Sequence, residues 1–113
     1  MATSQKTSLL AEALTATKTG DTKGLSSKDK AFIGILSVSA CNAATTVNAK
    51  IQHSADGSTW FDLVSFTAVV GTTGAELKQI TTSVLHKVRA VVTLAGATQT
   101  ATVDLALWLD PDR

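Results

Sequence analysis

Between residues 45 and 66 apolar and polar side chains alternate, pause, and alternate again. Val47, Ala49 and Ile51 take turns with Asn48, Lys50 and Gln52, the period of a strand with one face buried. Ser54-Ala55-Asp56-Gly57-Ser58 then predicts a tight turn, since Asp hydrogen-bonds its own backbone and Gly accepts positive φ without steric cost. Trp60-Phe61-Asp62-Leu63-Val64 resumes with aromatic and branched residues that suit a pleated, half-buried surface.

The same period recurs along the chain. Residues 84–94 set Val88, Ala90, Val92 and Leu94 on one side and Lys87, Arg89, Val91 and Thr93 on the other. Residues 100–109 point Ala101, Val103, Leu105, Leu107 and Leu109 inward, and Thr102, Asp104, Ala106 and Trp108 outward. Residues 76–81 alternate as well, with Leu77, Gln79 and Thr81 against Lys78 and Ile80. Residues 31–40 are almost continuously apolar but too short to span a bilayer, the pattern of a central strand buried on both faces. Gly34 within that run marks a bulge or the close approach of another backbone.

The start is less regular. Residues 1–7 are polar and read as an N-terminal arm, with residues 8–113 as one domain. In residues 8–17, Leu9, Leu10, Ala13 and Leu14 fit one helical face with Ser8 as cap, but the threonines after Leu14 favour a strand. Thr19-Gly20-Asp21 is a turn, residues 22–25 a short strand, and residues 26–30 a solvated loop. Gly71 to Gly74 form a loop without the spacing, or the following helix, of a phosphate loop. Pro111 forbids further ladder pairing at the end. The sum is an all-β fold, an antiparallel β-sandwich (jelly-roll or immunoglobulin-like) of about seven to eight strands.

Composition supports this picture. The chain has 113 residues, and only 17% are charged against roughly 25% in typical domains. A formal net charge of +1 offers no field for nucleic acid or an anionic membrane, so neither is an expected partner. Cys41 is the single cysteine, so no internal disulfide is possible and a buried, reduced thiol is expected. Residues 1–6 lack the apolar segment of a signal peptide, which predicts synthesis and folding in a cytoplasm.

Candidate chemistry is thin. His53 and His86 have no carboxylate or histidine at metal-ligand spacing, and Asp56 and Asp62 lack the dense acidic alternation of a calcium loop. No nucleophile–base signature stands out. The expectation is a non-enzyme with no cofactor and no metal. Trp60 is assigned to the end of the core. Trp108, outward by strict alternation, either makes a contact or closes the sandwich edge beneath a loop.

Two segments bear a resemblance. Lys50-Ile51-Gln52-His53-Ser54, Asp56-Gly57, Thr59-Trp60, Asp62-Leu63 and Phe66 form one hairpin. The run from Val88 to Gly96 leads into the closing strand at residues 100–107. Together they resemble the small β-sandwich structural proteins of tailed-bacteriophage virions, of the decoration (cement) or head–tail type. The resemblance covers the chain from Ala31 onward, and its motifs are structural. It implies a homo-oligomer in the virion, made in the bacterial host cytoplasm, whose partners are its own copies and the major capsid protein or neighbouring virion proteins. A capsid decoration or stabilising protein is the leading expectation. The alternatives are a head–tail joining or tail tube component, and a module binding carbohydrate or a host surface. Leu9, Leu10 and Trp108 are the expected interface residues.

Overall fold

The computed structural model describes residues 6–24, 32–43, 45–81, 84–96 and 100–109. These residues contain ten strands: β1 (Lys6–Leu14), β2 (Lys18–Thr19), β3 (Lys23–Gly24), β4 (Phe32–Cys41), β5 (Thr46–Ser54), β6 (Phe61–Ser65), β7 (Val69–Val70), β8 (Gly74–Ile80), β9 (Lys87–Ala95) and β10 (Ala101–Leu109). Three of them are only two residues long, so the expected number of substantial strands holds. Within 8–17 the chain is a strand as far as Leu14, not a helix. Pairing begins at Lys6 opposite Trp108, so Lys6 and Thr7 belong to the sheet rather than to an arm; the rest of the expected arm lies outside the described residues.

Two antiparallel sheets make a sandwich. The first runs β1-β10-β4-β8; the second runs β2-β9-β5-β6, with β3 also on β9 and β7 also on β5. Their inner faces share one core. Leu36, Val103, Leu105 and Leu107 come from the first sheet, and Val47, Ile51, Val88 and Val92 from the second, all essentially without solvent contact. These are the positions that period-2 alternation points inward, which is why the register is strongly specified: a one-residue slip would expose every one of them.

Glycines mark where the sheets meet most closely. A Cβ on Gly34 would lie 3.2 Å from Phe66 Cζ and 3.4 Å from Ile51 Cδ1. The close approach expected there is thus made by side chains of the second sheet, not by a backbone. The tight backbone contact is at Gly20 instead. Its N–H donates to Ala90 O at 2.8 Å, and a Cβ would sit 2.6 Å from Leu9 O of the facing sheet.

Each side of the sandwich has a clasp. On one side Lys18 Nζ donates to Glu12 Oε1 at 2.7 Å, joining β2 to β1. On the other, Glu76 of β8 accepts from Thr67 N–H at 2.7 Å and from Thr67 Oγ1 at 3.0 Å, tying β8 to the β6–β7 connection. At one end, buried Thr45 accepts from Thr100 N–H at 3.0 Å through its hydroxyl, and its carbonyl accepts from Gly71 N–H at 2.8 Å. This gives the backbone polar groups of three connections their partners in a place water does not reach.

Candidate interaction surfaces

The turn at the end of the β5–β6 hairpin is built from two side chains. Ser54 Oγ, fully buried, accepts from Gly57 N–H at 2.8 Å and donates to Asp56 Oδ1 at 3.0 Å. That same Oδ1 accepts from Ser58 N–H at 2.8 Å and Thr59 N–H at 2.9 Å. Gly57 supplies the positive φ of 83°. The Thr59 and Ser58 amides, with the Ser54 hydroxyl, hold the Asp56 carboxyl down from 3.8 to about 2. All of this carboxylate's close partners are donors of its own loop, so its role is turn capping.

The outward side of the second sheet is a polar array. Gln52 on β5 stands opposite Arg89 on β9 and accepts from its Nε at 2.9 Å. Gln52 Nε2 donates to Asp62 Oδ1 at 3.0 Å, and Lys50 Nζ lies 3.1 Å from the same carboxylate oxygen. The Gln52 amide, then Lys50, lower the Asp62 pKa. The Arg89 guanidinium lies over Trp60, 4.2 Å from the ring centroid. Trp60 is therefore not a core residue: it is half-buried beneath an arginine on the outside of the sheet. Sequence reasoning missed this array. Its signal was present in the outward positions of two strands, but only the β5–β9 register brings Gln52 and Arg89 together.

The outward side of the first sheet is different. Along β4, Ile33, Ile35 and Ser37 point away from the core; beside them lie Trp108, Ala106 and Asp104 on β10, and Gln79, Leu77 and Ala75 on β8. The β4 run expected to be buried on both faces is fully buried only on the inner one; Ile33 and Ile35 are half-buried. Trp108 is likewise half-buried, and Ala106 is only 2% exposed although it points outward. Leu77 is 60% exposed.

Leu9 and Leu10, expected at an interface, are 3% and 6% exposed and belong to the core. The reason is a bulge. Ser8 pairs with Ala106 and Leu10 with Leu105, so Leu9 is an extra residue in β1 and two successive side chains turn inward. Of the three expected interface residues, only Trp108 lies on an outward face.

His53 Nδ1 accepts from Leu85 N–H at 3.2 Å, and burial lowers its pKa, so the ring is a neutral acceptor that joins β5 to the segment before β9. Among the described residues no three His, Cys, Asp or Glu side chains cluster as metal ligands. Cys41 is half-buried at the end of β4, beside a shallow depression that Leu14, Asn42, Thr100 and Thr102 also line. No protein-family model matches the chain, and no curated protein matches it.

Proposed function

We propose that this protein is a non-enzymatic structural component of a tailed-phage virion, and within it a capsid decoration or stabilising protein. The observation that carries the reading is the difference between the two outward sides of a single rigid sandwich. One carries a hydrogen-bonded polar array around Arg89 and Asp62; the other carries an apolar strip of Ile33, Ile35, Ala106 and Leu77, flanked by Ser37, Asp104 and Gln79. A protein held in one orientation on a larger particle has use for such a polarity, with a wet side and a contact side. The hairpin and closing-strand resemblance to virion proteins supports the same reading. So does a net charge of +1, which limits repulsion between many copies at high local density.

Phage particles carrying a gold label at the C-terminus of this chain test it by negative-stain imaging. Label distributed over the head is expected. Label confined to the neck or tail would replace decoration with the head–tail joining or tail alternative, and unlabelled particles would overturn the virion reading altogether.

A further inference from the structure

The edge strand β8 is long, regular and charged in an ordered way. It lies at the end of the first sheet, and among the described residues no strand pairs with its other side. Such an edge is a template for another chain, and folded proteins blunt it with bulges, prolines, short length, or lysines and inward-pointing charges that an incoming strand cannot neutralise. The opposite edge, β1, carries a bulge between Ser8 and Leu10. β8 has none of the first three devices: its seven residues run in unbroken register against β4 and contain no proline.

β8 does carry charges, and their order is informative. Two copies related by a two-fold axis perpendicular to the sheet keep inner residues opposite inner ones, so only registers centred on a residue are allowed. Centring on Glu76 sets two carboxylates face to face; centring on Lys78 does the same for two ammonium groups. Centring on Leu77 sets Glu76 opposite Lys78 twice, Leu77 opposite Leu77, and Ala75 opposite Gln79. Leu77 is also the midpoint of the strand, so this register overlaps its whole length. The Lys78 ammonium is in no salt bridge among the described residues; it lies near enough to Glu76 of its own strand to help lower that carboxyl's pKa, and its donors remain open to a partner's carboxylate. Glu76 already accepts from Thr67, but a carboxylate has about four acceptor positions and keeps room for a partner's lysine.

We infer that the partner of the β8 edge is a second copy of this chain, joined antiparallel about Leu77 into one continuous eight-stranded sheet. The pairing places the exposed Leu77 against its symmetry mate. It also runs the outward strip unbroken from Ala106, Ile35 and Leu77 of one protomer into Leu77, Ile35 and Ala106 of the next. Because the described residues of each chain offer one such edge and the two-fold uses it in both copies, the assembly closes as a dimer instead of growing into a fibre. Parallel stacking is disfavoured by the same charges, which then meet their own kind. The inference goes beyond the proposed function and holds whether or not the protein is found in a virion.

Sedimentation of the purified protein over a dilution series tests it. The natural sequence sediments as a dimer. Lys78→Glu leaves the Glu76–Thr67 clasp intact and sets Glu against Glu, raising the dimer dissociation constant at least about tenfold. Glu76→Lys does the same with lysines, and an equimolar mixture of the two variants restores a dimer, because each supplies the charge the other lacks. In a Cys41→Ala background, Leu77→Cys cross-links to itself on mild oxidation, since directly opposed antiparallel residues lie about 4.5–5.5 Å apart between Cα atoms. Ala75→Cys, offset from its own mate, does not. Circular dichroism confirms that each variant is folded, and the cross-link is the deciding measurement if Glu76→Lys is not. A natural protein that stays monomeric, a higher oligomer indifferent to Lys78→Glu, or a folded Leu77→Cys variant that never cross-links would each overturn the inference. A dimer that labels no phage particle would leave it standing and overturn only the virion reading.

Discussion

The two sheets present nearly equivalent faces to each other and different outward clusters: a bonded polar array on the second, an apolar strip on the first. On the second sheet, the outward residues between β5, β6 and β9 satisfy one another: Arg89 bonds Gln52, Gln52 bonds Asp62, and Lys50 pairs with Asp62. On the first, the corresponding strip is Ile33, Ile35, Ala106 and Leu77, whose side chains have no polar atoms to satisfy. The comparison separates two jobs. Inward residues hold the sandwich together whichever sheet they come from, while under the proposed function the outward residues distinguish a wet side from a contact side.

Truncating the shared core gives the largest effect and is indifferent to which sheet is cut. Leu105→Ala in the first sheet and Ile51→Ala in the second, both fully buried, each destabilise by about 2–5 kcal/mol in denaturant titration. A value under about 0.5 kcal/mol at either site would mean that the register is wrong there. Next comes Gly20→Ala, whose Cβ meets Leu9 O of the facing sheet; the sheets must separate locally, at a cost of about 1–3 kcal/mol. A neutral Gly20→Ala would show that the sheets are not clamped at that corner.

Outward substitutions are smaller and tell the sides apart. Ile35→Ser, at a half-buried site, costs about 1 kcal/mol of stability and weakens association measured by sedimentation. Arg89→Ala, losing the Trp60 and Gln52 contacts, costs about 0.5–1 kcal/mol and leaves association unchanged. The reverse pattern of association would exchange the roles of the two sides.

The smallest effect is a pH dependence confined to the hairpin turn. The Asp56 carboxyl titrates at about 2 when folded and at an ordinary 3.8 otherwise. The unfolded chain therefore binds the proton first. The contribution is complete above 3.8 and disappears as the pH falls through about 2. Melting curves taken between about pH 5 and pH 2 should flatten in Asp56→Ala relative to the natural protein. Some acid sensitivity remains in that variant, because Gln52 lowers the Asp62 pKa and the Thr67 amide lowers that of Glu76.

How much of this was legible in the sequence depends on how local the physics is. The β5–β6 hairpin reads directly, because Val47, Ala49 and Ile51 alternate cleanly and Ser54, Asp56 and Gly57 carry the turn in their own side chains. The β9 and β10 cores read for the same reason. Leu9 and Leu10 misled because alternation assumes an unbroken register, and the bulge that turns both inward is visible only in the pairing of β1 with β10. Trp60 misled because its partner, Arg89, lies 29 residues further along the chain and meets it only after β9 has paired with β5. The β8 edge was visible as a strand but not as an edge, since edge status is a property of sheet order.

Amide hydrogen exchange along β8 and β6, compared between dilute and concentrated protein, tests most directly the claim that the first sheet is the contact side. Both strands end their sheets, so on one side of each no strand pairs with it among the described residues. The account predicts that amides in 75–79 slow markedly on concentration while those in 61–65 do not. Equal slowing of both edges, or none at β8, would contradict it.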